Sequence, residues 1–268
     1  MPTREVVQAV AKKYEADIVA YYGDIARPED DYLIRQCRKR RRRKNIILLL
    51  ATRGGDPSAA YRIARCFQRA YRTLEQRKEG RVVSPKVGDF LVLVTSVCKS
   101  AGTLLALGAD KIFMSEHAEL GPIDIQVRKP EEVGERTSGL TPIQALQFLE
   151  NQSLTLFRRH FAALRFSDDL TFSTKMAAEL ATNITVGLLT PIYQQIDPIR
   201  LAEVDRFLRI SSEYGERLGR TNLRDGTLER LLVKYPSHGF VIDRDEAREL
   251  FDHVEDPCEE LEALAKFL

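Results

Sequence analysis

An α/β fold on a parallel sheet is predicted by two continuous apolar runs, the glycine- or serine-bearing turn after each, and the helix beyond each turn. The runs are Asn45–Ala51 (NIILLLA) and Phe90–Val97 (FLVLVTSV). Neither alternates in polarity, which is the pattern of strands covered on both faces by helices. Strand, turn, helix, strand in this order is the signature of βαβ units with right-handed crossovers.

The other elements are read from periodicity. Glu5 to Tyr14 reads as a helix, Ile18 to Tyr22 as a short strand and Glu29 to Lys44 as a basic helix. After the turn Thr52–Pro57, the positions Ala60, Ile63, Ala64, Phe67, Tyr71 and Leu74 share one helical face. The polar stretch 76–88 reads as a connection, Ser100–Gly108 as a short helix and Lys111–Met114 as a third strand. Beyond about residue 140 the pattern is helical, in Pro142–Leu164, Lys175–Gln195 and Pro198–Tyr214. Phe157 and Phe161 are core positions of the first of these. Tyr235–Asp243 (YPSHGFVID) then precedes an acidic tail. The expected organisation is an α/β core over 1–140 and a helical extension of the same domain over 141–268.

Composition bounds the function classes. In 268 residues, 44% are hydrophobic and 30% charged, which excludes wholesale disorder, and a net charge of +2 implies no global polyelectrolyte partner. Cys37, Cys66, Cys98 and Cys258 form no CxxC pair and no metal-ligand spacing, so reduced thiols in a cytoplasmic protein are expected, with neither metal nor organic cofactor. The N-terminal segment lacks the apolar stretch of a secretory signal, and no run approaches the roughly 20 apolar residues of a membrane span.

The candidate chemistry sits on the two loops that leave the two strongest strands, at the sheet edge where ligands collect. The first carries Gly54-Gly55, which permits close backbone approach. The second is Cys98-Lys-Ser-Ala-Gly-Thr103, with Ser100 at the strand-to-helix turn and the Ala101 N–H available beside it. A hydroxyl with N–H donors from two loops suits acyl transfer. Taken alone, a serine at a helix start is more often a cap. Neither loop reads GxGxxG, and Cys98 replaces the first glycine of a GxSxG elbow.

The two loops together are similar to those of the Clp-protease/crotonase superfamily. Leu48–Ala64 (LLLATRGGDPSAAYRIA) resembles the strand, double-glycine loop and helix of Clp-type peptidases and of signal peptide peptidase A. Val94–Gln126 resembles their nucleophile helix and the strand after it, and KSAGTLLALGAD, ELGPID and PSHGFVID resemble the serine dehydrogenase proteinase family. The resemblance implies a Clp-like fold, Ser100 as nucleophile, and Gly55 (or Gly54) with Ala101 as oxyanion donors. It further implies a peptide or protein substrate and a homo-oligomer.

The base is left open. Clp peptidases use a histidine and signal peptide peptidase A a lysine, and the candidates here are His238, in PSHGFVID with its backbone held between Pro236 and Gly239, and Lys175 at a helix start. A lysine in that role must be desolvated, because its ordinary pKa is about 10.4. Lys99 neighbours Ser100, and strand alternation points it away; His117 reads as a solvated loop residue, His160 as an exposed or capping residue on a helix and His253 as a surface residue of the acidic tail. Asp124 suits orienting a base or capping a turn. Two rivals remain: acyl-thioester chemistry on the same fold, and an interaction protein binding nucleic acid or acidic lipid through the basic run Arg38–Lys44. A solvated helix end with acidic neighbours is the favoured reading of that run.

Overall fold

The computed structural model describes residues 4–71, 77–78, 81–82, 88–123, 126–128, 136–138, 140–166 and 172–267. Leu74, Asp124 and most of the 76–88 connection lie outside them. The chain opens with α1 (Arg4–Lys13), β1 (Ala16–Tyr22), α2 (Glu29–Arg40), β2 (Asn45–Thr52) and α3 (Pro57–Tyr71). A hairpin of β3 (Arg77–Lys78) and β4 (Arg81–Val82) precedes β5 (Phe90–Cys98), α4 (Ala101–Ala106), β6 (Lys111–Met114) and β7 (Glu119–Leu120). A second hairpin, β8 (Gln126–Arg128) and β9 (Arg136–Ser138), leads to α5 (Leu140–Arg165), α6 (Thr174–Tyr193) and α7 (Pro198–Leu218). The chain ends with α8 (Thr227–Glu229), a π-helical turn at Arg230–Lys234, α9 (Arg244–Leu250), β10 (Val254–Glu255) and α10 (Glu259–Ala265).

The chain packs as two compact units, residues 1–125 with 208–268, and residues 126–207. In the first, the sheet order is β1-β2-β5-β6-β10, all parallel, with β7 paired to the end of β5. This is the α/β parallel sheet of βαβ units, with helices towards the C-terminus, that the apolar runs predict. Both faces are covered. Ile46, Leu48, Leu50, Val92 and Val94 join a cluster that includes Ala60, Ile63 and Phe67 of α3. The alternate residues Ile47, Leu49, Leu91 and Leu93 join Val10 of α1 and Leu261 and Leu264 of α10. Alternation between two apolar layers explains why these strands show no polar face. In the second unit α5 and α6 pack together, β8 and β9 pair as an antiparallel hairpin, and α6 buries the stripe Ala177, Ala181, Thr185 and Leu189.

One irregularity prepares the site. From Leu50↔Val94 to Thr52↔Cys98, β2 advances two residues while β5 advances four, so β5 bulges immediately before the Ser100 turn. Extra residues in a strand bend it and re-aim the chain beyond them.

Candidate active site

The Gly54-Gly55 loop and the Ser100 turn meet at the C-terminal ends of adjacent strands. Thr52 organises the first loop: its hydroxyl donates to the Gly54 carbonyl at 3.2 Å and accepts the Gly54 N–H at 3.0 Å. Its carbonyl accepts the Lys99 N–H at 3.1 Å, which ties the two loops together. The two glycines are required for different reasons. Gly54 has φ +114°, and a Cβ there would lie 2.8 Å from Ser100 Cβ and 3.3 Å from its Oγ. Gly55 has φ +138°, and a Cβ there would lie 2.0 Å from the Ile25 carbonyl oxygen.

That contact with Ile25 is a parallel bridge. The Ile25 N–H donates to the Gly54 carbonyl at 2.7 Å, and the Asp56 N–H donates to the Ile25 carbonyl at 2.7 Å. Parallel pairing of this kind engages the groups on either side of Gly55 and leaves its own N–H outside the ladder. Ala101 opens α4, and first-turn N–H groups have no intrahelical acceptor. Among the described residues neither the Gly55 nor the Ala101 N–H has an acceptor.

Ser100 itself decides between a cap and a reactive hydroxyl. Its backbone is at φ +53°, ψ −116°, a region that costs a non-glycine residue about 1–3 kcal/mol. Its side chain makes no capping hydrogen bond, and among the described residues its Oγ has no partner. The Ser100 N–H donates to the Pro122 carbonyl at 3.2 Å, and the Gly102 N–H to the Lys99 carbonyl at 2.8 Å, so the turn is held by backbone bonds. The buried Thr103 hydroxyl shares its one proton between the carbonyls of Cys98 (3.0 Å) and Gly121 (2.8 Å). A strained, half-buried serine with a free hydroxyl and two free N–H groups nearby is a geometry for acyl transfer. Cys98, two residues earlier, is no competitor: it is fully buried, and burial pushes its thiol pKa well above the usual range.

The remaining candidates occupy different surroundings. The Lys99 stem lies against Gly121, and its Nζ donates to the Gly239 carbonyl at 2.9 Å and lies 3.1 Å from Glu119 Oε1. Gly239 adjoins His238, which is half-buried and engaged by a partner of its own. The segment is stapled to β7, because Leu120 and Ile242 exchange both backbone bonds at 2.9 and 3.0 Å. His238 and Ser100 therefore belong to the same unit. Lys175 is exposed in the first turn of α6, within the unit 126–207. His117 and His253 are exposed; His160, on α5, is half-buried with an enclosed Nε2 that has no partner among the described residues. No group of three or more metal-ligating side chains occurs among the described residues. The contribution of Ile25 carried no signal in the sequence: its bridge to Gly55 uses only backbone atoms.

No protein-family model and no curated protein matches the chain. Among solved structures, it is similar to the 1510-N membrane-bound stomatin-specific protease. The serine-to-alanine mutant matches at TM-score 0.35 and 16% identity, over 62% of this chain and 76% of that one. A lysine-to-alanine mutant of that protease, in complex with a substrate peptide, matches at TM-score 0.35 and 18% identity over 62% and 72%. The ClpP protease catalytic domain from Plasmodium falciparum matches at TM-score 0.46 and 10% identity over 96% and 93%. At TM-scores below 0.5 these likenesses carry no argument about activity. No helix of the described residues is long and apolar enough to cross a membrane.

Proposed function

We propose that this chain is a serine peptidase of the Clp-like type, with Ser100 as its nucleophile. The observation that carries the reading is the Ser100 backbone: φ +53° at a strand-to-helix turn, with the hydroxyl outside any cap. Strain of this kind persists only where surrounding structure enforces it, and it clusters at reactive sites. In the proposed reaction Ser100 Oγ attacks the scissile carbonyl carbon. The Gly55 and Ala101 N–H groups take the charge that develops on the carbonyl oxygen, the C–N bond breaks, and the serine proton passes through a base to the leaving amine. Water then hydrolyses the acyl-enzyme by the same route.

Lys175 and His238 are the two proposed bases. For His238, support comes from its position on a turn that Lys99 and β7 hold beside the nucleophile turn. For Lys175, it comes from the resemblance to signal peptide peptidase A. A peptide substrate, assembly into a homo-oligomer and a cytoplasmic compartment belong to the same proposal.

Hydrolysis of fluorescein-labelled casein by wild type, Ser100→Ala, Lys175→Ala and His238→Ala tests it. Ser100→Ala is expected to lower kcat by about a thousandfold or more, and the base variant to fall about as far. Activity that survives Ser100→Ala would transfer the chemistry to the oxyanion groups alone, as in acyl-thioester enzymes of this fold.

A further inference from the structure

Away from Ser100, a cavity of about 520 Å³ lies between α2 and α3, lined by Ile34, Tyr61, Arg62, Arg65, Cys66, Arg69 and Ala70. Arg62, Arg65 and Arg69 fall at spacings of three and four, so α3 presents three guanidinium groups along one face. Their charges are not equivalent. Arg62 is paired with the buried Asp30 and with Asp31, two carboxylates that more than offset its single charge. Neither Arg65 nor Arg69 has a carboxylate partner among the described residues. Arg65 Nη1 donates to Gln68 Oε1 at 2.9 Å, while its Nε is enclosed without a partner among the described residues. Such an unpaired enclosed N–H is rare in a folded protein, and the donors that Arg65 can offer to the cavity are those of its terminal guanidinium nitrogens.

The rest of the lining is largely apolar. Ile34 and Ala70 contribute to it, and the Tyr61 ring is fixed by stacking on Tyr214, with centroids 4.2 Å apart and planes 10° apart. Gln68, which holds Arg65, is itself anchored to the carbonyls of Gly108 (2.9 Å) and Leu218 (3.1 Å). Of the two guanidinium groups, that of Arg65 is therefore tied to the core through Gln68, while Arg69 stands at the exposed rim.

We propose that this cavity binds a phosphate monoester with an apolar or aromatic body. Two uncompensated guanidinium groups match the double negative charge of such a phosphate, which a carboxylate with its single charge does not. The volume exceeds that of a bare anion and falls in the range of small-molecule sites. The apolar lining takes the body. This site is separate from the Ser100 turn and runs along the helix that the glycine loop starts.

Isothermal titration of the full-length protein with phenyl phosphate, inorganic phosphate and benzoate tests the proposal. Saturable binding of phenyl phosphate is expected, tighter than either other probe. Arg69→Gln, at an exposed position, and Arg65→Lys, which keeps the charge but removes the terminal guanidinium nitrogens, are each expected to weaken it about tenfold. The thermal midpoint of each unliganded variant reports whether the fold is intact. The proposal is overturned if no saturable heat appears up to about 10 mM, if benzoate binds as tightly as phenyl phosphate, or if both folded variants bind as wild type does.

Discussion

Ser100 holds a backbone conformation that glycine adopts without cost, so its side chain is retained against stability. Ser100→Gly is therefore expected to raise the thermal unfolding free energy, by roughly 1 kcal/mol or more, while abolishing hydrolysis. A variant less stable than wild type would show that the turn carries no such strain. The two loop glycines separate in the same way. Gly54→Ala, at φ +114°, places a methyl group against Ser100 Cβ and Oγ and the Lys99 carbonyl, so it is expected to lose turnover with a smaller loss of stability than Gly55→Ala. Gly55→Ala meets the Ile25 backbone, which cannot rotate aside, so it is expected to lose stability first. Circular dichroism melts beside casein turnover distinguish the two. The glycine pair and Ser100 stood out in the sequence because they come directly after apolar strands. Their individual roles did not, because the obstructing atoms, Ser100 Cβ and the Ile25 carbonyl, come from distant segments.

At the scale of elements, the Ser100 turn is held by the bulge in β5, by Thr103 and by the Lys99 tie to the 238–239 turn. Thr103→Val keeps the shape and leaves the Gly121 and Cys98 carbonyls without the hydroxyl, at a cost of about 1–3 kcal/mol in denaturant unfolding. An unchanged midpoint would contradict the assigned bonds. The strands β2 and β5 were legible because both their faces are buried and their composition says so. β7 and β10 were not, since each is two residues long and neither has room for a pattern. Val254–Glu255 lies in what reads as an acidic tail, yet pairs with β6 at the sheet edge. The register change from Leu50 to Thr52 is likewise invisible in the sequence, because a bulge is defined by two strands at once.

Across the whole molecule, the chain ends converge on one side of the sheet: α1 and α10 share a cluster, and Lys13 Nζ lies 2.8 Å from Glu260 Oε2. The Lys13 ammonium, with Cys258 contributing, lowers the Glu260 carboxyl to about 2. A carboxylate whose pKa is lower in the folded state adds stability above its unfolded value of about 4.3, and that stability is lost as pH falls towards 2. Glu260→Gln is therefore expected to flatten the decline of the melting temperature between pH about 4 and 2, and to leave it unchanged at neutral pH apart from the small loss of an exposed pair. The helical character of residues beyond 140 was readable from periodicity. Their division, with residues 126–207 in one unit and 208–268 packed with the N-terminal sheet, was not, because it depends on which apolar faces find each other.

The proposed chemistry stands or falls with Ser100 as an activated nucleophile. Intact-mass measurement and peptide mapping of the folded protein after exposure to a fluorophosphonate, for wild type, Ser100→Ala and Cys98→Ala, address this without a substrate. A single phosphonyl adduct is expected on the peptide that contains Ser100, absent from Ser100→Ala and retained in Cys98→Ala. A folded wild type that stays unmodified, or an adduct that persists in Ser100→Ala, would contradict that role for Ser100.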